Sequence, residues 1–160
     1  MTKRDVLAYL AGILDADGTI GIKRNTYAIR ITRDSEQATY SERVCVRQVQ
    51  QEAIDLLHGL FGGYRGINDP SAKRGKPLHA WQVTDMKAAA CLRAVLPFLR
   101  IKKSQAENCL ALRQVKERSK KVRVARGRGH AGAARRPAEL GVAMETLYQR
   151  AKALNAVGRS

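Results

Sequence analysis

Residues 10–22 read "LAGILDADGTIGI". An apolar run ends in two carboxylates one residue apart, Asp15 and Asp17, and a glycine, Gly18, follows them. Three chemistries use such a pair: a calcium loop, a phosphotransferase nucleophile at a strand end, and a nuclease metal site at a helix end. Upstream, Val6, Leu7, Tyr9, Leu10, Ile13 and Leu14 recur at spacings of three and four, which predicts a helix. Thr2 or Asp5 would cap its start, and Gly18 would stop it, since glycine accepts positive φ without penalty. The acidic pair is therefore expected at a helix C-terminus.

Beyond Gly18 the pattern turns β-like. "TIGIKR", "YAIRIT" and "RVCVRQ" each alternate an apolar face with a face that carries cations. Residues 33–41 read as a polar loop. Ile54, Leu57, Leu60 and Phe61 mark a helix that stops at Gly62 and Gly63. A second hairpin, "YRGIND" and "LHAWQVTD", flanks the basic loop "PSAKRGKP". Thr84 or Asp85 would cap a helix through about Phe98, and another runs from near Lys103 to Glu117. Residues 118–136 are rich in Arg and Gly and read as a mobile basic linker. Pro137 can open a last helix. The fold class is α+β, an αββαββα core over residues 1–117 with a curved antiparallel sheet saddle. The linker and a C-terminal helix packing on the core over 137–160 complete it.

The 160-residue chain can bury a full core as one domain, and no run approaches the ~18 apolar residues of a membrane span. The N-terminus lacks a typical signal cleavage site, which predicts an intracellular protein, cytoplasmic in a prokaryote or within an organelle. Cys45, Cys91 and Cys109 are dispersed and form no CxxC pair, so they are expected as reduced thiols in the core. Lys plus Arg outnumber Asp plus Glu 30 to 14, a net charge of +16. That excess is self-repelling unless a polyanion offsets it, which points to nucleic acid rather than a membrane surface.

The calcium reading fails on spacing. Counted from Asp15, the sixth residue is Ile20 and the twelfth Thr26, where an EF-hand loop needs Gly and Glu. "ILDADGT" is similar to the DxDGT signature of haloacid-dehalogenase-type phosphotransferases, with Asp15 as nucleophile and Asp17 as acid/base. That chemistry needs a strand before the pair, a parallel α/β sheet and a second acidic cluster, and the sequence offers none of them. "YLAGILDADGTI", Tyr9–Ile20, resembles the motif of the LAGLIDADG homing endonucleases, in one copy. "LPFLRIKKSQAENCLAL", Leu96–Leu112, and "RQVQQEAIDLLHGLFGG" are similar to further segments of that family. "PAELGVAMETLYQRAKALN" is similar to the C-terminal helix of its shorter members. The resemblance covers most of residues 5–116 and, more weakly, 137–155.

A single motif implies a homodimer on double-stranded DNA, cutting a long pseudo-palindromic site with Mg2+ or another divalent cation. It also implies an intron-encoded enzyme. Close packing of two motif helices needs small side chains, so Ala8, Ala11 and Gly12 are the expected dimer seam. The resemblance implies Asp17 as metal ligand with the Ala16 carbonyl beside it, and two metals on the phosphodiester between the paired sites. Asp15 is then structural. Lys102 matches the family's lysine and would stabilise transition-state charge or only neutralise phosphate. Gln48 would hold solvent near the metal or be an ordinary strand-end residue. Lys23, Arg30, Arg43, Arg47 and Gln82 share the outward parity and are expected to read DNA in the major groove. Lys73, Arg74, Lys76 and Arg100 are expected on phosphates, with Gln105 flanking the site. The chain departs from the family in a longer loop at 32–41 and in the basic tract. The rival readings are a non-cleaving relative, such as an RNA-binding intron maturase, and the phosphotransferase.

Overall fold

A computed structural model describes residues 2–25, 38–68, 75–125 and 137–156. Helix α1 is Lys3–Asp17, followed without a break by strand β1, Gly18–Asn25. β2 is Thr39–Gln48, α2 Gln51–Phe61, β3 Tyr64–Asn68 and β4 Leu78–Thr84. Helices α3, Asp85–Val95, α4, Lys103–Ala125, and α5, Ala138–Ala156, complete the chain. The four strands form one antiparallel sheet in the order β1-β2-β4-β3. No described helix is long and apolar enough to cross a membrane.

Alternation along the strands fixes which face meets the helices. Ile20, Ile22, Val44, Val46, Trp81 and Val83 are buried together with Leu10 and Leu14 of α1, Ile54 and Leu57 of α2, and Leu92 and Val95 of α3. Each fully buried side chain of this kind contributes about 1.5–3 kcal/mol. Trp81 also satisfies its polar end, donating from Nε1 to the Gly62 carbonyl at 2.8 Å. That carbonyl belongs to the paired glycines that stop α2, whose φ values of 63° and 98° are open to glycine at no steric cost.

Thr2 is the N-cap of α1, in a reciprocal capping box with Asp5. The other end corrects an expectation. Gly18 does not stop the helix through positive φ; its backbone is extended, at φ −76° and ψ 152°. Glycine is needed there because a Cβ would lie 2.6 Å from the Leu14 carbonyl oxygen and 2.8 Å from Leu14 Cα, both backbone atoms.

Three boundaries also move. β2 begins at Thr39, inside the expected loop, because Thr39–Gln48 pairs along the whole length of β1, from Asn25↔Thr39 to Gly18↔Val46. α3 ends at Val95. α4 continues eight residues past Glu117 into the expected linker, since Arg and Lys are good helix formers and no glycine or proline interrupts before Gly127. The strand expected at 27–32 and residues 126–136 lie outside the described residues.

α5 packs along α4 and β1, with Met144 and Ala151 buried in the core. Asn108 donates to the Leu147 carbonyl at 2.9 Å, and Asn155 donates to the Ile20 carbonyl of edge strand β1 at 3.1 Å. Tyr40 donates to the Glu145 carboxylate. An exposed strand edge is a template for aberrant pairing, and a docked helix guards it. Beneath the sheet a buried ion cluster ties β2 to α4. Glu42, fully buried, accepts from Arg113 at 2.6 Å and Lys116 at 3.1 Å, and Lys116 also pairs with Asp85. Cys91 and Cys109 are buried, and burial pushes both thiols up to about 12. Cys45 departs from expectation and sits half-buried on the sheet's outer face.

Candidate active site and nucleic-acid interface

The register places the C-terminal end of α1 beside the C-terminal end of β2. Gly18 opposes Val46, so Gln48, still paired with His79 of β4, extends past the end of β1 to the last turn of the helix. Gln48 Nε2 donates to Asp17 Oδ2 at 2.6 Å. The other end of that amide, Oε1, is buried with no hydrogen-bond partner among the described residues.

Asp15 faces the other way. Its Oδ2 accepts from the Arg100 backbone N–H at 2.7 Å and its Oδ1 from the Lys102 N–H at 2.9 Å. Burial acts to raise the Asp15 pKa, but the N–H groups of Arg100, Lys102 and Ile101 and the Lys102 charge outweigh it and hold the carboxyl below its ordinary value. This clamp fixes the turn before α4 against the helix end.

The turn then carries the Lys102 side chain back over α1. Its ammonium donates to the carbonyls of Leu14 at 2.9 Å and Gly18 at 2.7 Å, with Ala16 at 3.4 Å. A cation there suits the carbonyl-rich C-terminus of a helix. Burial pushes the Lys102 pKa below its ordinary value, and the charges of Asp15 and Asp17 act in the opposite direction. Asp17, Ala16, Gln48 and Lys102 thus come together at one point, with Arg100 exposed next to them. Gln105 is not part of it; its amide donates to the Leu154 carbonyl at 3.3 Å and joins α4 to α5.

The exposed side of α1 corrects the expected seam. Ala8 and Gly12 are exposed, and nothing lies within 4 Å of a Cβ built on Gly12. Tyr9 is 45% exposed beside them. Ala11 is 0% exposed, because it falls on the Leu7–Leu10–Leu14 side of the helix and seals onto its own core. It offers no surface to a partner.

The outer sheet face carries Lys23, Arg43, Arg47 and Gln82, opposite in parity to the buried residues. Lys76 is exposed just before β4. Arg30, Lys73 and Arg74 lie outside the described residues. Reading the sequence missed Tyr64, which shares this face through its pairing with Gln82 and is 62% exposed. Its parity in "YRGIND" was the available signal. Lys152 and Asn155 of α5 were also missed. With Thr19, Gly21, Lys23 and Arg43 they line a groove of about 520 Å³ at the rim of this face, and only tertiary packing brings them there.

No protein-family model matches the chain, and no curated protein matches it. Solved structures do. The homing endonuclease I-CvuI, in complex with a DNA target in the presence of 2 mM Mg, superposes with a TM-score of 0.66 at 16% identity, over 96% of this chain and 84% of that one. The archaeal intron-encoded homing endonuclease I-Vdi141I, complexed with DNA, gives 0.63 at 12% identity, over 96% and 86%. The homing endonuclease I-TnaI gives 0.52 at 15% identity, over 97% of each chain. With the motif of Tyr9–Ile20 seated across the junction of α1 and β1, the chain has the fold of the LAGLIDADG homing endonucleases.

Proposed function

We propose that the chain is a site-specific endonuclease of double-stranded DNA that works as a homodimer with a divalent cation. The observation that carries this is the convergence of Asp17, Gln48 and Lys102 at one end of α1, beside a sheet face lined with cations. DNA complexes among the structural neighbours support the substrate class. Two copies joined along Ala8, Tyr9 and Gly12 would bring their Asp17 carboxylates together and set one site against each strand. The same reading puts the enzyme inside the cell, where its DNA is.

The donor set fits a hard divalent cation. Asp17 and the Ala16 carbonyl would hold it, and magnesium is bound through one or two carboxylates with water filling the rest. The unpartnered Gln48 Oε1 supplies an acceptor for water at such a site. When bound, the cation supplies Lewis acidity toward the phosphodiester. The remaining work falls to this chain's groups. Gln48 Nε2 holds Asp17 in orientation. Lys102, anchored by the Leu14 and Gly18 carbonyls, keeps a positive charge where phosphate negative charge grows during attack. Arg47, Lys23 and Lys76 bring the duplex to the face by phosphate attraction, which falls as salt rises.

The test is cleavage of a random duplex library by the full chain in magnesium at stated salt. One pseudo-palindromic sequence cut on both strands is expected, with Asp17→Asn losing cleavage and keeping duplex binding. Binding to intron RNA without duplex cleavage overturns the reading, as does turnover of p-nitrophenyl phosphate that Asp15→Asn abolishes.

A further inference from the structure

The outer sheet face is a lattice whose rows follow from the register. One row runs Thr19, Cys45, Gln82, Tyr64; the next, farther from α1, runs Gly21, Arg43, Thr84. Arg43 and Gln82 are diagonal neighbours on the two central strands, within reach of long side chains. Arg43 Nε donates to Gln82 Oε1 at 2.9 Å, and both residues are half-buried.

That one bond changes what each side chain can read. A glutamine recognises adenine with its oxygen and nitrogen together, the oxygen taking N6–H and the nitrogen giving to N7. Gln82 Oε1 already accepts from Arg43, which takes one of its two lone pairs and fixes the orientation of the amide, so the amide cannot turn freely to set oxygen and nitrogen together on an adenine edge. Arg43, for its part, uses the inner nitrogen of its guanidinium, and no described residue accepts from Nη1 or Nη2. Those two terminal nitrogens form the fork that matches guanine O6 and N7. The bond also fixes the plane of the guanidinium in advance, which lowers the ordering cost of binding.

The neighbourhood leaves room for a base edge. Gly21, opposite Arg43 on β1, has no side chain, and a Cβ there would meet only Asn155 Nδ2, at 3.1 Å. On the other flank Tyr64 is turned aside along its own strand. A Cβ on Gly66 would lie 2.2 Å from the Tyr64 hydroxyl, so the phenol lies over that glycine.

We propose that Arg43 and Gln82 form a single reader of one guanine in each half-site, with Gln82 as the positioning residue and not an independent reader of adenine. This rests on the DNA reading given above. Gly21 is three residues from Gly18, roughly 10 Å along the strand, so the guanine lies about three base pairs outward from the level of Gly18, beside Asp17.

The test measures binding of the full chain to duplexes of its selected site with each base pair varied in turn. Arg43→Met should lose about ten- to hundred-fold of the preference for guanine at one pair per half-site. Gln82→Met should lose part of the preference at that same pair, and the double variant should match Arg43→Met alone. Gln82→Glu keeps an acceptor for Arg43 Nε, so it should retain the guanine preference while overall affinity falls. Relaxation at two different pairs, additive losses, or loss of the guanine preference in Gln82→Glu overturns the unit while leaving the DNA reading intact. Failure of the wild-type chain to prefer any duplex sequence overturns both.

Discussion

Asp15 and Asp17 should respond to substitution in opposite ways, and the structure sets the size of the difference. Asp15→Ala removes two bonds to backbone N–H groups, at 2.7 and 2.9 Å, and leaves Arg100 and Lys102 N–H to find water. Hydrogen bonds to a charged group are worth about 1.5–3 kcal/mol each. The turn lies near the surface, so the lower end applies to each bond, and the loss comes to roughly 3 kcal/mol. At about 2–4 °C per kcal/mol for a domain of this size, the melting temperature should fall by roughly 6–12 °C. Asp17→Asn keeps an acceptor for Gln48 Nε2 and loses only the charge of an exposed carboxylate, worth at most about 1 kcal/mol, so its melting temperature should move by under about 4 °C. Thermal unfolding and cleavage of a plasmid carrying the selected site are measured on the same preparations. The pH dependence gives a second readout. The folded pKa of Asp15 lies below its unfolded value, so its contribution is present above that unfolded value of about 3.8 and disappears as pH falls through the folded value. The gap between wild type and Asp15→Asn should therefore be constant at neutral pH and close in acid. An Asp15→Ala protein as stable as wild type, or an Asp17→Asn protein that loses more, refutes the reasoning.

Two further outcomes follow from packing. Glu42→Ala leaves Arg113 buried with only Asp85, 3.6 Å away, and should cost about 3–5 kcal/mol in urea unfolding. A double replacement of Glu42 and Arg113 by methionine should recover most of that loss, and failure to recover it would mean the ion pair itself supplies net stability. Gly12→Arg places a charged side chain in open space on the monomer and across the seam in a dimer. Sedimentation should show a folded monomer with weakened binding to the full site; an unchanged dimer would remove α1 from the interface.

The parts of the fold legible in the sequence are those where chemistry repeats at a fixed period. Strand alternation separated Val44, Val46, Trp81 and Val83 from Arg43, Arg47 and Gln82, because a half-buried sheet cannot tolerate the reverse parity. Helical spacing found α1 but not which flank its small residues occupy. Apolar side chains lie on more than one side of α1, so Ala8, Ala11 and Gly12 look alike until Ala11 is seen to close onto Leu10 and Leu14. α4 was cut short for a different reason. Arg- and Lys-rich sequence resembles a solvated linker in composition, yet its residues have ordinary helix propensity and propagate an existing helix readily. Glu42 was invisible because a buried carboxylate is defined by its partners on α4, 71 and 74 residues away.

At the site, the local motif carried more information than the residues around it. Two positions apart on a helix means a rotation of about 200°, so neighbouring carboxylates of this spacing point to opposite sides. The geometry uses that separation directly. Asp15 turns inward to two backbone N–H groups of its own chain, while Asp17 stays exposed and meets Gln48 from the end of β2. Lys102 then depends on Asp15 twice, through its own N–H and through the turn that directs its ammonium onto Leu14 and Gly18. The carboxylate that does no chemistry in the proposed reaction therefore sets the position of the cation that does. None of this follows from the spacing of 15, 17, 48 and 102 along the chain. It follows from a helix ending one residue before a strand, at a glycine where a Cβ would lie within 3 Å of Leu14.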